Sequence, residues 1–166
     1  MGHKEHKEKA PVQTRCAVIT VSDTRTEATD TSGKLIITML EENGHEITGY
    51  HIIKDEPKEI KNLLKSIDKG KAEVIIINGG TGISGRDRTF EAISHVLEKT
   101  IDGFGEIFRY LSYQEIGSSA IMSRAVAGVS KGRVIISIPG SENAVRLAMS
   151  KLILPELGHM VFELKR

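Results

Sequence analysis

Residues 80–85 read Gly80-Thr81-Gly82-Ile83-Ser84-Gly85 and follow directly on the apolar run EVIIIN at 73–78. Backbone N–H groups of a glycine-rich turn at a strand end form a concavity that accepts phosphate oxygens. A dinucleotide fingerprint would continue into a second strand ending in an acid about 20 residues on; here that stretch is patterned as helix. A P-loop would carry lysine and then serine or threonine after its second glycine; this chain has Arg86-Asp87. An aspartate beside an anion cradle repels a phosphate unless a divalent cation stands between them, and Mg²⁺ is held in this way, through one or two carboxylates plus substrate phosphates. Asp55, at the end of the preceding strand-like run, offers a second carboxylate. These residues point to a magnesium–nucleotide site that is not a P-loop. Plainer roles fit the same residues: Asp87 as cap of a helix starting near Thr89, Asp55 as cap of a helix starting at Pro57, and the glycines as permissive turn residues. Capping and metal binding are compatible.

Two further loops carry polar groups suited to a ligand. Ser22-Asp23, followed by the hydroxyls of Thr24 and Thr26, suits hydrogen bonding to a heterocycle or phosphate, and equally suits turn chemistry. Pro139-Gly140-Ser141 ends an apolar run and opens a helical pattern, so Ser141 is a candidate N-cap and the helix start a candidate anion site. Of the histidines His3, His6, His45, His51, His95 and His159, only His3 and His6 are close in sequence, and none forms a convincing metal pair. Cys16 begins an apolar run and reads as a small core residue. No Ser-His-Asp or Cys-His relay is evident.

The elements that must position these groups follow from periodicity. CAVITVS at 16–22, EVIIIN at 73–78 and RVIISI at 133–138 are apolar and β-branched, as buried strands are, and HEITGYHIIK at 45–54 reads as a further strand. Leu35, Ile36, Met39 and Leu40 recur at helical spacing before Asn43-Gly44, a helix stop. Ile60, Leu63, Leu64 and Ile67 follow Pro57 at i, i+3, i+4, i+7. Further helices carry Phe90, Ile93, Val96 and Leu97, then Phe104, Ile107, Phe108 and Leu111, the latter suited to a core or an interface. A last helical pattern begins near Glu142, with Pro155 bending it or starting a new segment. Residues 118–127 fit no single pattern. Apolar strands alternating with helices predict an α/β fold with a mostly parallel sheet covered on both faces. Ligands of such sheets bind beyond the C-terminal strand ends, which selects the loops at 22–32, 54–57, 78–89 and 139–143.

Composition narrows the function. The chain has 166 residues, with 23 Lys and Arg against 22 Asp and Glu, a net charge of +1. That balance argues against general nucleic-acid binding, which needs a basic excess. Aromatics are 4% with no tryptophan, too few for a base-stacking platform. One cysteine excludes an internal disulfide and fits a reducing, cytoplasmic setting. No apolar run approaches the ~18 residues of a membrane helix. Residues 1–14 read as a solvated charged tail and 15–166 as one domain.

Taken together, TVSD at 20–23, KDEP at 54–57, NGGTGISGRDRTFEA at 78–92, GFGEIFRYLS at 103–112, AIMSRAVAG at 120–128 and SIPGSENAV at 137–145 resemble the molybdenum cofactor biosynthesis family. That family includes the MoaB and MogA proteins and the N-terminal domain of gephyrin. The resemblance covers nearly all of residues 15–166 and is strongest to the MoaB type. It implies a three-layer α/β/α fold and MgATP-dependent adenylylation of molybdopterin with release of pyrophosphate. Asp55 and Asp87 match the family's two acidic positions, catalytic and Mg²⁺-holding. Gly79, Gly80, Thr81 and Gly82 match its nucleotide-phosphate loop. Ser22, Asp23, Ser123, Pro139, Gly140 and Ser141 fall in motifs lining the same substrate cleft. The resemblance further implies a homo-oligomer, trimer or hexamer, and transient contact with the protein that inserts molybdate. Where MogA and gephyrin usually have Thr-Pro-Glu, this chain has Thr89-Phe90-Glu91. The competing functions are a non-catalytic molybdopterin-binding or carrier module and an assembly scaffold.

Overall fold

The computed structural model describes residues 13–68 and 70–166. Most of the proposed tail, with His3 and His6, therefore lies outside the described residues. Thr14 does not behave as tail: it is fully buried, its N–H donates to His45 Nδ1 at 3.2 Å, and its carbonyl accepts from Glu46 N–H at 3.0 Å.

The chain runs β1 (Arg15–Val21), α1 (Thr31–Glu42), β2 (Glu46–Ile53), α2 (Pro57–Ser66), β3 (Val74–Asn78), α3 (Thr89–Val96), β4 (Lys99–Thr100), α4 (Asp102–Ile116), a 3₁₀ segment (Gly117–Met122), β5 (Val126–Ser130), β6 (Arg133–Ile138), α5 (Glu142–Ala148), a π-helical segment (Met149–Ile153) and α6 (Leu154–Leu164). The six strands form one sheet in the order β2-β1-β3-β6-β5-β4. β2, β1, β3 and β6 are mutually parallel, while β5 runs antiparallel to both β6 and β4.

Alternation along the strands explains the three layers. Cys16, Val18, Val74, Ile76, Val134 and Ile136 face one side, packed against Ile36 and Leu40 of α1, Phe104 and Phe108 of α4, and Val145, Leu157 and Val161 of the C-terminal helices. Ala17, Ile19, Val21, Ile75, Ile77 and Ile135 face the other, against Ile60 and Leu64 of α2 and Ala92 and Ile93 of α3. Every residue of β3 is buried, which is why that stretch reads as an unbroken apolar run. Cys16 belongs to this core; burial, with Glu73 adding to it, pushes its thiol up to about 12, which makes it inert.

The helix signals act as expected. Asn43 caps α1 and Gly44 takes φ +79°, the left-handed exit that glycine permits. Pro57 opens α2. Pro155 stands in the first turn of α6, and the π-helical turn before it accommodates a proline ring that would collide with a regular helical carbonyl.

The ambiguous stretch 118–127 resolves into the 3₁₀ segment and the start of β5. β5 escapes periodicity because it is short and carries Gly128, which reads as a break. The glycine is there for close approach: a Cβ on it would lie 2.2 Å from the Lys99 carbonyl of β4.

One buried carboxylate joins the layers at the C-terminal strand ends. Asp30 caps α1 by accepting from Gly33 N–H at 3.0 Å. Its Oδ2 also accepts from Thr20 Oγ1 of β1 at 2.6 Å and from the Tyr50 hydroxyl of β2 at 2.5 Å, and Arg25 ion-pairs with its Oδ1 at 3.4 Å. Burial raises the Asp30 carboxyl, but these donors outweigh it and hold it below the usual aspartate value. Removing the carboxylate strands buried donors and an unpaired arginine. Asp30→Ala should lower unfolding free energy by about 3 kcal/mol or more, and Tyr50→Phe by about 1 kcal/mol; urea melts with unchanged slope would measure both.

Candidate functional site

Beyond the C-terminal ends of β1, β3 and β6 lies an open cleft of about 380 Å³. Of the residues singled out in the sequence, Ser22, Gly79, Gly80, Thr81, Gly82, Asp87, Ser123, Pro139 and Gly140 line it. Asp55, Asp23 and Ser141 are not among the lining residues, but each adjoins one: Asp55 lies against Gly80, and Asp23 and Ser141 follow Ser22 and Gly140. Ser141 caps α5 through a hydrogen bond from Ala144 N–H at 3.3 Å. Asp23 forms an ion pair with Arg86 at 2.7 Å and accepts from Asp55 N–H at 3.2 Å. The Arg86 hydrogen bond, with help from that N–H, holds the Asp23 carboxyl below its ordinary value.

The glycine loop fits only as glycine at two points. Gly79 has φ +100°, and a Cβ there would lie 2.2 Å from the Val21 carbonyl. Gly80 has φ +65°, and its Cβ would lie 2.0 Å from Thr89 Oγ1 and 2.3 Å from Asp55 Oδ2. The loop backbone is thus pressed onto the end of β1 and onto a buried carboxylate, and Gly79 N–H donates to the Ile138 carbonyl of β6 at 3.0 Å.

Neither aspartate caps the helix expected of it. The residue flanking α2 is Glu56, without a side-chain cap. Asp55 instead reaches across to α3: it accepts from Arg88 N–H at 3.2 Å and from the Thr89 hydroxyl at 3.1 Å, so it satisfies the start of a helix from another part of the chain. Asp87 accepts from Ser84 N–H at 3.0 Å and Ser84 Oγ at 2.5 Å, closing the turn 84–87, while Arg88 flanks α3. The Asp87 carboxylate lies beneath Gly82, whose Cβ would come within 2.6 Å of it. The two carboxylates thus support the same loop from two sides. Burial raises the Asp55 carboxyl above its ordinary value; the Arg88 and Thr89 donors oppose this, and the charges of Asp87 and Asp23 add to it. Among the described residues no group of three or more His, Cys, Asp or Glu side chains is placed to share a metal ion.

Several residues at the cleft were not singled out in the sequence. Among the described residues Arg25 is the one cationic side chain lining it, fixed by Asp30 and by the Gly140 carbonyl at 3.0 Å. Ser119 and Met122 line it from the 3₁₀ segment. Arg124 donates to the carbonyls of Thr81, at 2.8 Å, and of Gly82. Its guanidinium pairs with Glu91 and lies 4.6 Å from the ring centre of Phe90. The available signals were two: Arg124 lies inside the AIMSRAVAG motif, and Phe90 is the departure within Thr89-Phe90-Glu91. Arg86, placed where a P-loop has lysine, turns away to Asp23 and Glu56.

Residues 17–159 match the model of a probable molybdopterin binding domain. The chain belongs to the molybdenum cofactor biosynthesis family. Within this family it is 53% identical to molybdenum cofactor biosynthesis protein B of Bacillus cereus, covering 100% of this chain and 99% of that protein. To the protein of the same name from Bacillus subtilis it is 54% identical with the same coverage. The fold superposes on a crystal structure of molybdenum cofactor biosynthesis protein B with a TM-score of 0.90 at 54% identity, over 95% of this chain and 99% of the other. It superposes on the tungsten cofactor synthesizing protein MoaB from Pyrococcus furiosus with a TM-score of 0.85 at 38% identity, over 95% and 100%. The three-layer α/β/α architecture and the MoaB type of the family are thereby established, and the protein's role lies in molybdenum cofactor biosynthesis. Among the described residues no helix is long and apolar enough to cross a membrane.

The raised Asp55 carboxyl sets a pH dependence. Its folded pKa lies above the unfolded one, so its contribution to stability is present below the unfolded value and is lost as pH rises through the folded value. Asp55→Asn keeps an acceptor for Arg88 N–H and removes the charge. It should melt higher than the parent at pH 7, and the gain should disappear toward pH 4; thermal melts across that range measure it.

Proposed function

We propose that the cleft binds molybdopterin and ATP side by side and catalyses adenylyl transfer between them. The observation that carries this reading is the pair of carboxylates, Asp55 and Asp87, packed directly beneath Gly80 and Gly82 of a phosphate-type loop. Besides their hydrogen bonds to the start of α3 and within the turn 84–87, two like charges at one loop suit a cation shared with substrate phosphates. Their oxygens are the hard donors Mg²⁺ takes, and a set of two carboxylates leaves the remaining positions to substrate and water. When bound, the ion would offset the charge that develops as two anions meet.

The rest of the chemistry falls to this chain's residues. A terminal phosphate oxygen of the pterin attacks the α-phosphorus of ATP; the bond from that phosphorus to the bridging oxygen of the β-phosphate breaks, and pyrophosphate leaves. No proton relay is required, so positioning and charge do the work. Loop N–H groups at residues 80–82 would orient the nucleotide phosphates, with the Gly79 N–H held by the Ile138 carbonyl. Arg25, held by Asp30, would supply a fixed positive charge inside the cleft. Ser22, Ser123 and Gly140 would contact the substrates along its walls, with Asp23, Ser141 and Pro139 holding those walls in shape.

The same reading includes self-association into a trimer or hexamer. The helix expected to serve either core or interface is core on one face, where Phe104 and Phe108 are buried; the half-exposed Ile107 supports the interface reading. Tyr110, Tyr113, Ile116, Ile121 and Met122 are also exposed on α4 and the 3₁₀ segment after it. Docking onto the molybdate-insertion protein belongs to this proposal as a transient contact. Sedimentation at micromolar concentration should show an oligomer, and a monomer would remove this part of the reading.

The test of catalysis is Asp87→Asn, which preserves shape and removes charge. Incubated with molybdopterin, ATP and Mg²⁺, the parent should release pyrophosphate and form an AMP-linked pterin. The variant should be slower by roughly 10² or more, with pterin binding retained. A parent that binds pterin but yields no product would leave a carrier function. A variant as fast as its parent, with the same Mg²⁺ dependence, would remove the metal role of Asp87.

A further inference from the structure

At the opposite end of the sheet from the cleft, Arg133 opens β6 and is 3% exposed. Its guanidinium donates to the carbonyls of Leu64 and Ile67 at the end of α2, both at 2.8 Å. Among the described residues its Nε has no hydrogen-bond partner and no carboxylate pairs with it. Helix C-terminal carbonyls carry only about half a negative charge in total, so a full positive charge is buried with partial compensation. Such a charge is ordinarily paired.

Arg133 lines a pocket of about 200 Å³ together with Lys61, Lys65, Lys131 and Glu98, over an apolar floor of Leu64, Val96 and Ile135. Lys61 and Lys65 lie one turn apart on α2, on one face. Lys131 occupies the first turn position between β5 and β6, with φ +51°, followed by Gly132 at +71°. A turn with both central residues at positive φ normally takes asparagine, aspartate or glycine there; this chain keeps a lysine at the pocket rim. Among the described residues Glu98 is the only carboxylate lining the pocket, and its Oε1 is occupied by Lys131 N–H at 2.9 Å. Four cations therefore surround one engaged carboxylate.

We infer that this pocket is a second anion site, which binds a small phosphate-bearing molecule through Lys61, Lys65, Lys131 and the buried Arg133. The volume admits a phosphate group with a short substituent, and the apolar floor gives that substituent a surface. β6 separates the pocket from the cleft by its own length, roughly 20 Å at 3.3 Å per residue, so the inference stands independently of adenylyl transfer.

The experiment titrates inorganic phosphate into the full chain at constant ionic strength, with chloride as the balancing anion, and follows backbone amide NMR shifts. The expected result is saturable shifts at Leu64 and at residues 130–133. In Lys61→Ala/Lys65→Ala these shifts should need at least about tenfold more phosphate, while the melting temperature without phosphate stays at the parent value because both lysines are exposed. Arg133→Met should abolish the shifts, but the double lysine variant decides the question if that protein does not fold. Shifts confined to residues 79–82, shifts that do not saturate, or a double variant that titrates like the parent would each overturn the inference.

Discussion

The cleft exists in its shape because one carboxylate with no exposed side-chain surface, that of Asp30, is completely used. Asp30 takes donors from β1, β2, the start of α1 and Arg25. Through Thr20 the network continues to Asn78 of β3, whose Nδ2 donates to Thr20 Oγ1 at 2.9 Å. Through Arg25 and Ser32, which both donate to the Gly140 carbonyl, it reaches the loop after β6. Four segments distant in sequence are thereby fixed at the strand ends where a ligand must bind. The packing is tight enough that a Cβ on Gly33 would lie 2.2 Å from Asp30 Oδ2. A hydrophobic core alone would position these strands but leave their polar ends free to choose partners; the shared carboxylate removes that choice.

The aspartates around the cleft divide by what their surroundings offer. Asp30 is buried more deeply than Asp55, yet its carboxyl is lowered and that of Asp55 raised. The difference is the company: Asp30 has a guanidinium, two hydroxyls and one N–H, whereas Asp55 has one hydroxyl and one N–H and faces two other carboxylates. Asp30 is therefore a stabilising anion, and ionised Asp55 is held in the fold at a free-energy cost that protonation or a nearby cation would relieve. Strain of this kind tends to accumulate where a protein binds or reacts.

The fold was legible wherever burial on both faces produced long apolar runs, as in β1, β3 and β6, or where a helix kept its 3.6 period, as from Ile60 to Ile67. It was not legible at β4 and β5. There two exposed residues and a glycine-containing stretch make a ladder whose only signal is the close backbone approach at Gly128. In the cleft, the residues of strand-end loops were legible because topology alone assigns them to one side of the sheet. The actual partners of those residues were not. That Asp55 would serve α3 rather than α2, and that Asp30 among several polar neighbours would be the cap of α1, depend on how loops far apart in sequence meet. Arg25 and Arg124 were missed for the same reason: an isolated arginine announces no partner until the carbonyls it will bind have been brought to it.

The departure at Phe90 shows how the glycine loop is held from outside. A proline at this position would stiffen the first turn of α3, where its missing N–H has no consequence. Phenylalanine does not supply that stiffness, but its ring lies under the Arg124 guanidinium, and Glu91 takes the other side of the same group. With both neighbours in place Arg124 has little freedom, so its hydrogen bonds to the Thr81 and Gly82 carbonyls fix the loop rather than merely follow it. Those carbonyls are thereby engaged by a side chain from the segment that precedes β5. Thr89 meanwhile keeps its contact with Asp55. The substitution therefore preserves both the carboxylate and the loop it supports, with a stacked cation in place of a rigid ring.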